Sequence, residues 1–111
     1  MLIVDDYAPF RDSARGLLEG GGFDVVAEAE DGLTALRLAQ ELRPEIVLLD
    51  VHLPDLDGFE VARRLSELDP APEVVLTSSS DDYAPLVEAS AARAFIRKDA
   101  LSAEELVSAL R

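Results

Sequence analysis

Ile46-Val47-Leu48-Leu49-Asp50 runs four apolar residues into a carboxylate, and Leu2-Ile3-Val4-Asp5-Asp6 repeats the arrangement near the start of the chain. Short apolar runs without polar alternation fit strands buried on both faces. Two such strands can deliver Asp5, Asp6 and Asp50 to one edge of a sheet. Three adjacent carboxylates repel one another, and desolvation makes the repulsion worse. A cation among them relieves it, and an all-oxygen ligand set suits a hard ion such as Mg²⁺.

Outward from these two runs lie three more: Phe23–Val26, Val74–Leu76 and Ala94–Ile96. Helix-like segments separate them. The first helix is predicted to start near Pro9, a residue favoured at the first helical position. It carries Phe10, Ala14, Leu17 and Leu18 inward and stops at Gly20-Gly21-Gly22. The second follows Asp31-Gly32 and uses Leu33, Leu36, Leu38, Ala39 and Leu42, halting before Pro44. The third follows Asp57-Gly58 with Phe59, Val61, Ala62, Leu65 and Leu68, and ends before Pro70. A weaker fourth helix is predicted over Asp82 to Ala91, with Pro85 in its first turn. The fifth opens on Ser102-Ala103-Glu104-Glu105, a capping-box pattern, and continues through Leu106, Val107 and Leu110. The triple glycine follows a helix and precedes a strand, which is the wrong order for cradling phosphate, so it reads as a helix stop.

Five strand–helix units imply an α/β fold with a parallel sheet, right-handed crossovers and helices on both faces. Ligands of such sheets bind beyond the carboxyl ends of the strands, near the point where strand order reverses. Asp5, Asp6, Asp50 and Thr77 all fall at carboxyl ends.

The chain has 111 residues, the size of one domain, and 49% of them are hydrophobic, enough for a core. It has no Cys, so disulfides and thiolate metal ligands are excluded. The 23 acidic residues against 10 basic ones give a net charge of −13. That charge favours solubility and opposes direct nucleic-acid binding by this chain, because phosphates would be repelled. No apolar stretch reaches the length of a membrane span, and Met1-Leu2-Ile3-Val4-Asp5 lacks a signal-peptide pattern. The expected compartment is a bacterial-type cytoplasm.

Read together, the residues resemble the receiver domain of bacterial two-component response regulators, over residues 1–111. The resemblance rests on Val4-Asp5-Asp6 after the first strand, Leu49-Asp50 after the third, and Pro54 and Gly58 in the loop beyond. Thr77-Ser78 follow the fourth strand and Lys98 the fifth. Each piece is weak alone; the ordered set is specific. It implies a flavodoxin-like (βα)5 fold with strand order 2-1-3-4-5. Asp50 then resembles the aspartate that accepts a phosphoryl group from a sensor histidine kinase. Asp5 and Asp6 resemble the Mg²⁺-positioning pair, and the backbone carbonyl of His52 falls where the family supplies another metal oxygen. Thr77 resembles the switch hydroxyl, Lys98 the lysine on a phosphoryl oxygen, and Phe95 the aromatic that turns inward on activation.

The stretch from Thr77 to Lys98 is about one residue shorter than usual in the family, which leaves Ser78 as the alternative hydroxyl. Thr77 is favoured because it directly follows Val74-Val75-Leu76. Many receivers follow the lysine with proline; here Asp99 does, as in receivers attached to helix-turn-helix transcription outputs. With the chain ending at Leu110-Arg111, that likeness favours a piece of a longer regulator over a stand-alone protein.

The resemblance implies a signalling switch that catalyses only its own phosphotransfer and slow dephosphorylation. Its output would be exerted through the face made by the fourth helix, fifth strand and fifth helix, with homodimer formation on phosphorylation open. Other readings fit less well. Asp5 and Asp6 alone would suit helix capping, but Asp50 and Lys98 are then unexplained. A phosphatase with an aspartyl-phosphate intermediate wants a carboxylate two residues after the nucleophile, where this chain has His52. A degenerate receiver would be expected to have lost a site residue, and a flavin site lacks its Ser/Thr-rich loop.

Overall fold

The computed structural model describes residues 1–111. Five strands form one parallel sheet: β1 (Leu2–Val4), β2 (Ala27–Ala29), β3 (Ile46–Asp50), β4 (Glu73–Ser78) and β5 (Ala94–Arg97). Their order is β2-β1-β3-β4-β5, the order expected from the resemblance. Four helices accompany them: α1 (Ala8–Gly20), α2 (Gly32–Leu42), α3 (Gly58–Ser66) and α4 (Ala103–Ala109). Short 3-10 turns occupy Ala84–Leu86 and Lys98–Ala100.

The apolar runs work as buried strands because both sides of each are covered. Leu2, Val4, Val47, Leu49, Val74 and Leu76 join Ala35 and Ala39 of α2 and Val61 and Leu65 of α3 in one core. The alternate residues Ile3, Leu48, Val75 and Ile96 join Ala14 and Leu18 of α1 and Leu106 of α4 in the other. Burying one such Val, Ile or Leu contributes roughly 1.5–3 kcal/mol. The central strands β1, β3 and β4 therefore carry most of the hydrophobic stabilisation.

Helix limits follow the predicted signals. Asp31 accepts a hydrogen bond from Thr34 N at 2.7 Å, Asp57 from Phe59 N at 2.7 Å, and Ser102 from Glu105 N at 3.1 Å. Each satisfies an amide that the first helical turn leaves without a partner. After α1, Gly22 takes φ +94, a conformation that costs most other residues strain.

Three expectations are corrected. The second strand is Ala27–Ala29, not Phe23–Val26, because the ladder to β1 begins at Leu2↔Ala27. Phe23 and Val25 instead pack under the end of α1, where Phe23 N bonds Leu18 O at 3.0 Å. The fourth helix does not form over Asp82 to Ala91; only the 3-10 turn at Ala84–Leu86 does. Pro85 has no N–H to give a helix, Ser90 Oγ bonds the Val87 carbonyl at 2.7 Å, and only Val87 of this stretch is buried. With so small an apolar face, nothing offsets the cost of nucleating a helix. Finally, Leu17, Leu33, Leu42 and Val107 are 50%, 59%, 46% and 40% exposed rather than inward. On α1 and α2 the buried side chains are Ala14, Leu18, Ala35 and Ala39, so Leu17, Leu33 and Leu42 fall on the helix flanks.

Candidate functional site

β1 and β3 lie side by side, so Asp5 and Asp6, just past Val4, meet Asp50 at the end of β3. Asp5 is fully buried and Asp50 nearly so, while Asp6 faces solvent. One oxygen from each of the three carboxylates lies within 4.8 Å of the others. Asp5 is fixed by its own amide, which bonds Ala29 O at 3.0 Å, and by Tyr7 N on its Oδ1 at 2.9 Å. Arg11 of α1 donates to the Asp5 carbonyl and pairs with Glu28 of β2 at 3.2 Å, tying the β1–α1 turn to the neighbouring strand.

Lys98, just beyond β5, reaches across this rim. Its Nζ is 3.2 Å from Asp50 Oδ2, with hydrogen-bond alignment, and 2.6 Å from Asp5 Oδ2. Asp5 Oδ2 has no aligned hydrogen-bond donor, so that closer contact is ionic rather than directional. The ammonium also sits 4.7 Å from the centre of the Phe10 ring.

The electrostatics follow from this crowding. Burial pushes the Asp50 carboxyl above its usual range; the His52 N–H on Asp50 Oδ1 (3.1 Å) opposes it, the Asp5 charge adds to it, and Lys98 opposes it. For Lys98, burial disfavours the charge, but the contacts with Asp5 and Asp50 more than offset it and raise the pKa. One ammonium thus faces two buried carboxylates and a third at the cleft mouth. The donor set is all oxygen and short of positive charge, which fits a hard divalent cation such as Mg²⁺.

Both candidate switch hydroxyls are buried, but they differ. Thr77 is paired with Asp50 across the β3–β4 ladder, so their side chains leave the sheet on the same face, and its Oγ1 has no hydrogen-bond partner. Such an orphan hydroxyl costs roughly 1–3 kcal/mol and asks for an acceptor. Ser78 Oγ already accepts from Ser80 N at 3.2 Å, although Ser78 also lines the cleft with Asp6, Asp50, His52 and Lys98. Phe95 is half-buried against the α2–α3 side of the core. The His52 side chain is exposed, its ring edge-on to Tyr83 at 4.9 Å between centroids.

Gly58 explains how the loop after β3 closes on the site. A Cβ there would fall 2.4 Å from the Asp50 carbonyl oxygen and 2.7 Å from Val51 Cα. Asp55 accepts from Gly32 N at 2.8 Å and Leu33 N at 2.9 Å, pinning the same loop to the start of α2. Reading the sequence alone missed Asp55, Arg11 and the Phe10–Lys98 contact. Asp55 carried only a turn signal, and the other two are contacts between distant parts of the chain that leave no local pattern.

The response regulator receiver domain model matches residues 1–111. The chain belongs to that family. This receiver is 35% identical over 112 residues to the chemotaxis protein CheY of Listeria monocytogenes, covering 99% of this chain and 93% of that protein. It is 36% identical over 84 residues to the transcriptional regulatory protein YdfI of Bacillus subtilis, covering 75% of this chain but 39% of the regulator. With a protein-glutamate methylesterase/protein-glutamine glutaminase of Hahella chejuensis, the 43% identical stretch spans 71% of this chain and 23% of that protein. The receiver therefore spans well under half the length of these last two relatives. Among solved structures, a LuxR-family two-component response regulator from Aurantimonas superposes with TM-score 0.84 at 33% identity, covering 98% of this chain and 79% of that one. No helix of the receiver is long and apolar enough to cross a membrane.

Proposed function

We propose that this receiver is a phosphorylation-dependent switch in which Asp50 accepts a phosphoryl group from a sensor histidine kinase. The observation that carries the reading is the Lys98 ammonium shared between Asp5 and Asp50 beside the exposed Asp6. Carboxylates so crowded favour a site that will take up a cation, and the lysine is already placed beside the candidate nucleophile. Asp5, Asp6, Asp50 and the His52 backbone carbonyl would hold Mg²⁺, whose contribution is to neutralise charge on the phosphoryl oxygens. Lys98 holds one phosphoryl oxygen by a charge-assisted bond. Thr77, its hydroxyl unengaged, turns toward the new anion, and Phe95 buries further as β4 and β5 adjust.

A phosphoryl group adds about 1.5–2 negative charges at the rim. The response is a shift between two pre-existing arrangements of the segment 79–92, β5 and α4. Because the segment 79–92 holds no α-helix, the responding face is built from a loop, strand β5 and helix α4. Control of transcription through an attached DNA-binding domain is supported by Lys98-Asp99 and by the likeness to YdfI. The domain turns over no separate substrate, works in the cytoplasm, and is open to homodimer formation on phosphorylation.

Beryllofluoride with Mg²⁺, a phosphoryl mimic, tests this by amide shifts. Saturable changes at Thr77, Phe95 and Lys98 are expected, and Asp50→Ala should abolish them. Unchanged shifts in Asp50→Ala would overturn the acceptor assignment. If Ser78→Ala blocks the response while Thr77→Ala does not, the switch hydroxyl is Ser78.

A further inference from the structure

Lys98 has a partner that the phosphotransfer reading does not use. Its ammonium touches Asp5 at 2.6 Å and Asp50 at 3.2 Å, and the Phe10 ring covers another side at 4.7 Å. The three contacts come from three different places: the β1–α1 turn, the end of β3 and the first turns of α1. Phe10 is held in turn by its neighbours. Its amide bonds the Tyr7 carbonyl at 3.1 Å, and its side chain packs on the core that contains Ile3, Ala14 and Leu18. The ring is therefore a fixed surface, whereas Lys98 hangs on a flexible four-carbon stem.

An aromatic face attracts an ammonium through its quadrupole, and it does so without accepting a conventional hydrogen bond. That distinction matters here. A polar side chain or water at the same place would take one of the three N–H donors and compete with an incoming oxygen. The ring stabilises the cation while leaving the donor now on Asp50 free to move to a phosphoryl oxygen. It also shields the ammonium from hydration on the α1 side, consistent with Lys98 being only 19% exposed.

We propose that Phe10 is a positioning residue for the acceptor site, its ring holding the Lys98 ammonium over Asp50, within reach of the transferred phosphoryl group. The proposal rests on the phosphotransfer reading and adds to it a residue that touches neither metal nor phosphoryl group. Holding a catalytic group in place reduces the freedom lost on reaching the transition state. The effect should therefore appear in the rate of phosphorylation rather than in metal binding.

The test is a double-mutant cycle on the whole chain, with acetyl phosphate and Mg²⁺ as the phosphodonor system. Phe10→Leu keeps the core side apolar and removes the ring. It should slow phosphorylation about threefold to fivefold, the range expected for a partly exposed cation–π contact. Phe10→Tyr, which keeps the ring face, should restore the rate to within about twofold. In a Lys98→Ala background, Phe10→Leu should have no further effect, because the group it positions has gone. Equal slowing in both backgrounds would reduce Phe10 to packing and overturn the proposal, as would a Phe10→Tyr rate as low as that of Phe10→Leu. A second readout is independent of phosphotransfer. The ε-methylene protons of Lys98 should be shifted upfield by the ring in wild type and Phe10→Tyr, and should return in Phe10→Leu. If wild type takes up no phosphoryl group, the phosphotransfer reading fails, while the ring-current shift still decides whether Phe10 holds Lys98.

Discussion

The connections from β3 to α3 and from β4 to β5 border the same cleft and are held in opposite ways. The first is anchored at each step. Val51 N bonds Thr77 O at 3.0 Å, Gly58 N bonds Val51 O at 2.8 Å, and Asp55 bonds the start of α2. Val51 is buried and Gly58 leaves no room for a side chain. The second connection has one short 3-10 turn and Val87 as its buried residue after Ser78. Its hydrogen bonds are mostly local, and the exposed Arg97–Asp81 pair at 2.9 Å is among its few links to β5. Segments with few buried apolar contacts open at low free-energy cost. The contrast places the candidate acceptor on the fixed side of the cleft and the candidate responder on the weakly held side. A switch needs both, since a site that moves cannot orient chemistry and a face that cannot move cannot report it.

The sharpest way to break this contrast is Gly58→Ala. The added methyl meets backbone atoms of Asp50 and Val51 that cannot swing away. A loss of about 2–3 kcal/mol in urea unfolding is expected, the cost of overpacking a tight site. A change below about 0.5 kcal/mol, the scale of ordinary surface substitutions, would show that the first connection is soft enough to absorb the methyl. Asp55→Ala should cost about 1 kcal/mol, because two amides at the start of α2 lose their acceptor. Its amide-exchange signature should be concentrated at Gly32 and Leu33; uniform weakening of the whole domain would contradict a local tether.

Asp50→Asn should act in the opposite direction, and less strongly. Burial holds the Asp50 carboxyl above the ordinary value of 3.8, so the folded state binds that proton more tightly than the unfolded chain. The stability linked to the proton is present below that pH and is lost as pH rises through the folded value. With a chelator present, Asp50→Asn should be more stable than wild type at neutral pH, and its advantage should shrink on acidification toward pH 4. An equal advantage at both pH values would mean that charge crowding is not the cause. The smallest effect belongs to the second connection. Asp81→Asn should change global stability by no more than about 0.5 kcal/mol, as exposed ion pairs do. Amide exchange at Ala84–Val87 should nonetheless quicken; protection equal to that of β4 would break the contrast from the other side.

These two connections also differ in how far they could be read from the sequence. Leu49-Asp50 and Asp57-Gly58 carry strong local signals, an apolar run ending on a carboxylate and a cap before a helix, and both features formed where predicted. The segment after Ser78 contains Ala, Leu and Val at helix-like spacing, but that pattern does not count the missing amide of Pro85 or the turn-forming serines. β2 lies outside the predicted run because an edge strand does not need to be continuously apolar; Ala27-Glu28-Ala29 pairs with β1, while of the more apolar Phe23–Val26 only Phe23 and Val25 pack into the core and Val26 is exposed. The carboxylate cluster was legible from Asp5, Asp6 and Asp50 themselves. The placement of Lys98 beside them came from the family resemblance, and no local pattern announces that Phe10 lies under its ammonium.

The most direct test of the account is the covalent state of the chain after incubation with Mg²⁺ and acetyl phosphate, read by intact mass and by mapping the modified residue. Wild type should gain a single acid- and base-labile phosphoryl group on Asp50, with none in the absence of Mg²⁺ and none on Asp50→Asn. Full-rate phosphorylation of Asp50→Asn, or stable modification of another residue in wild type, would contradict it.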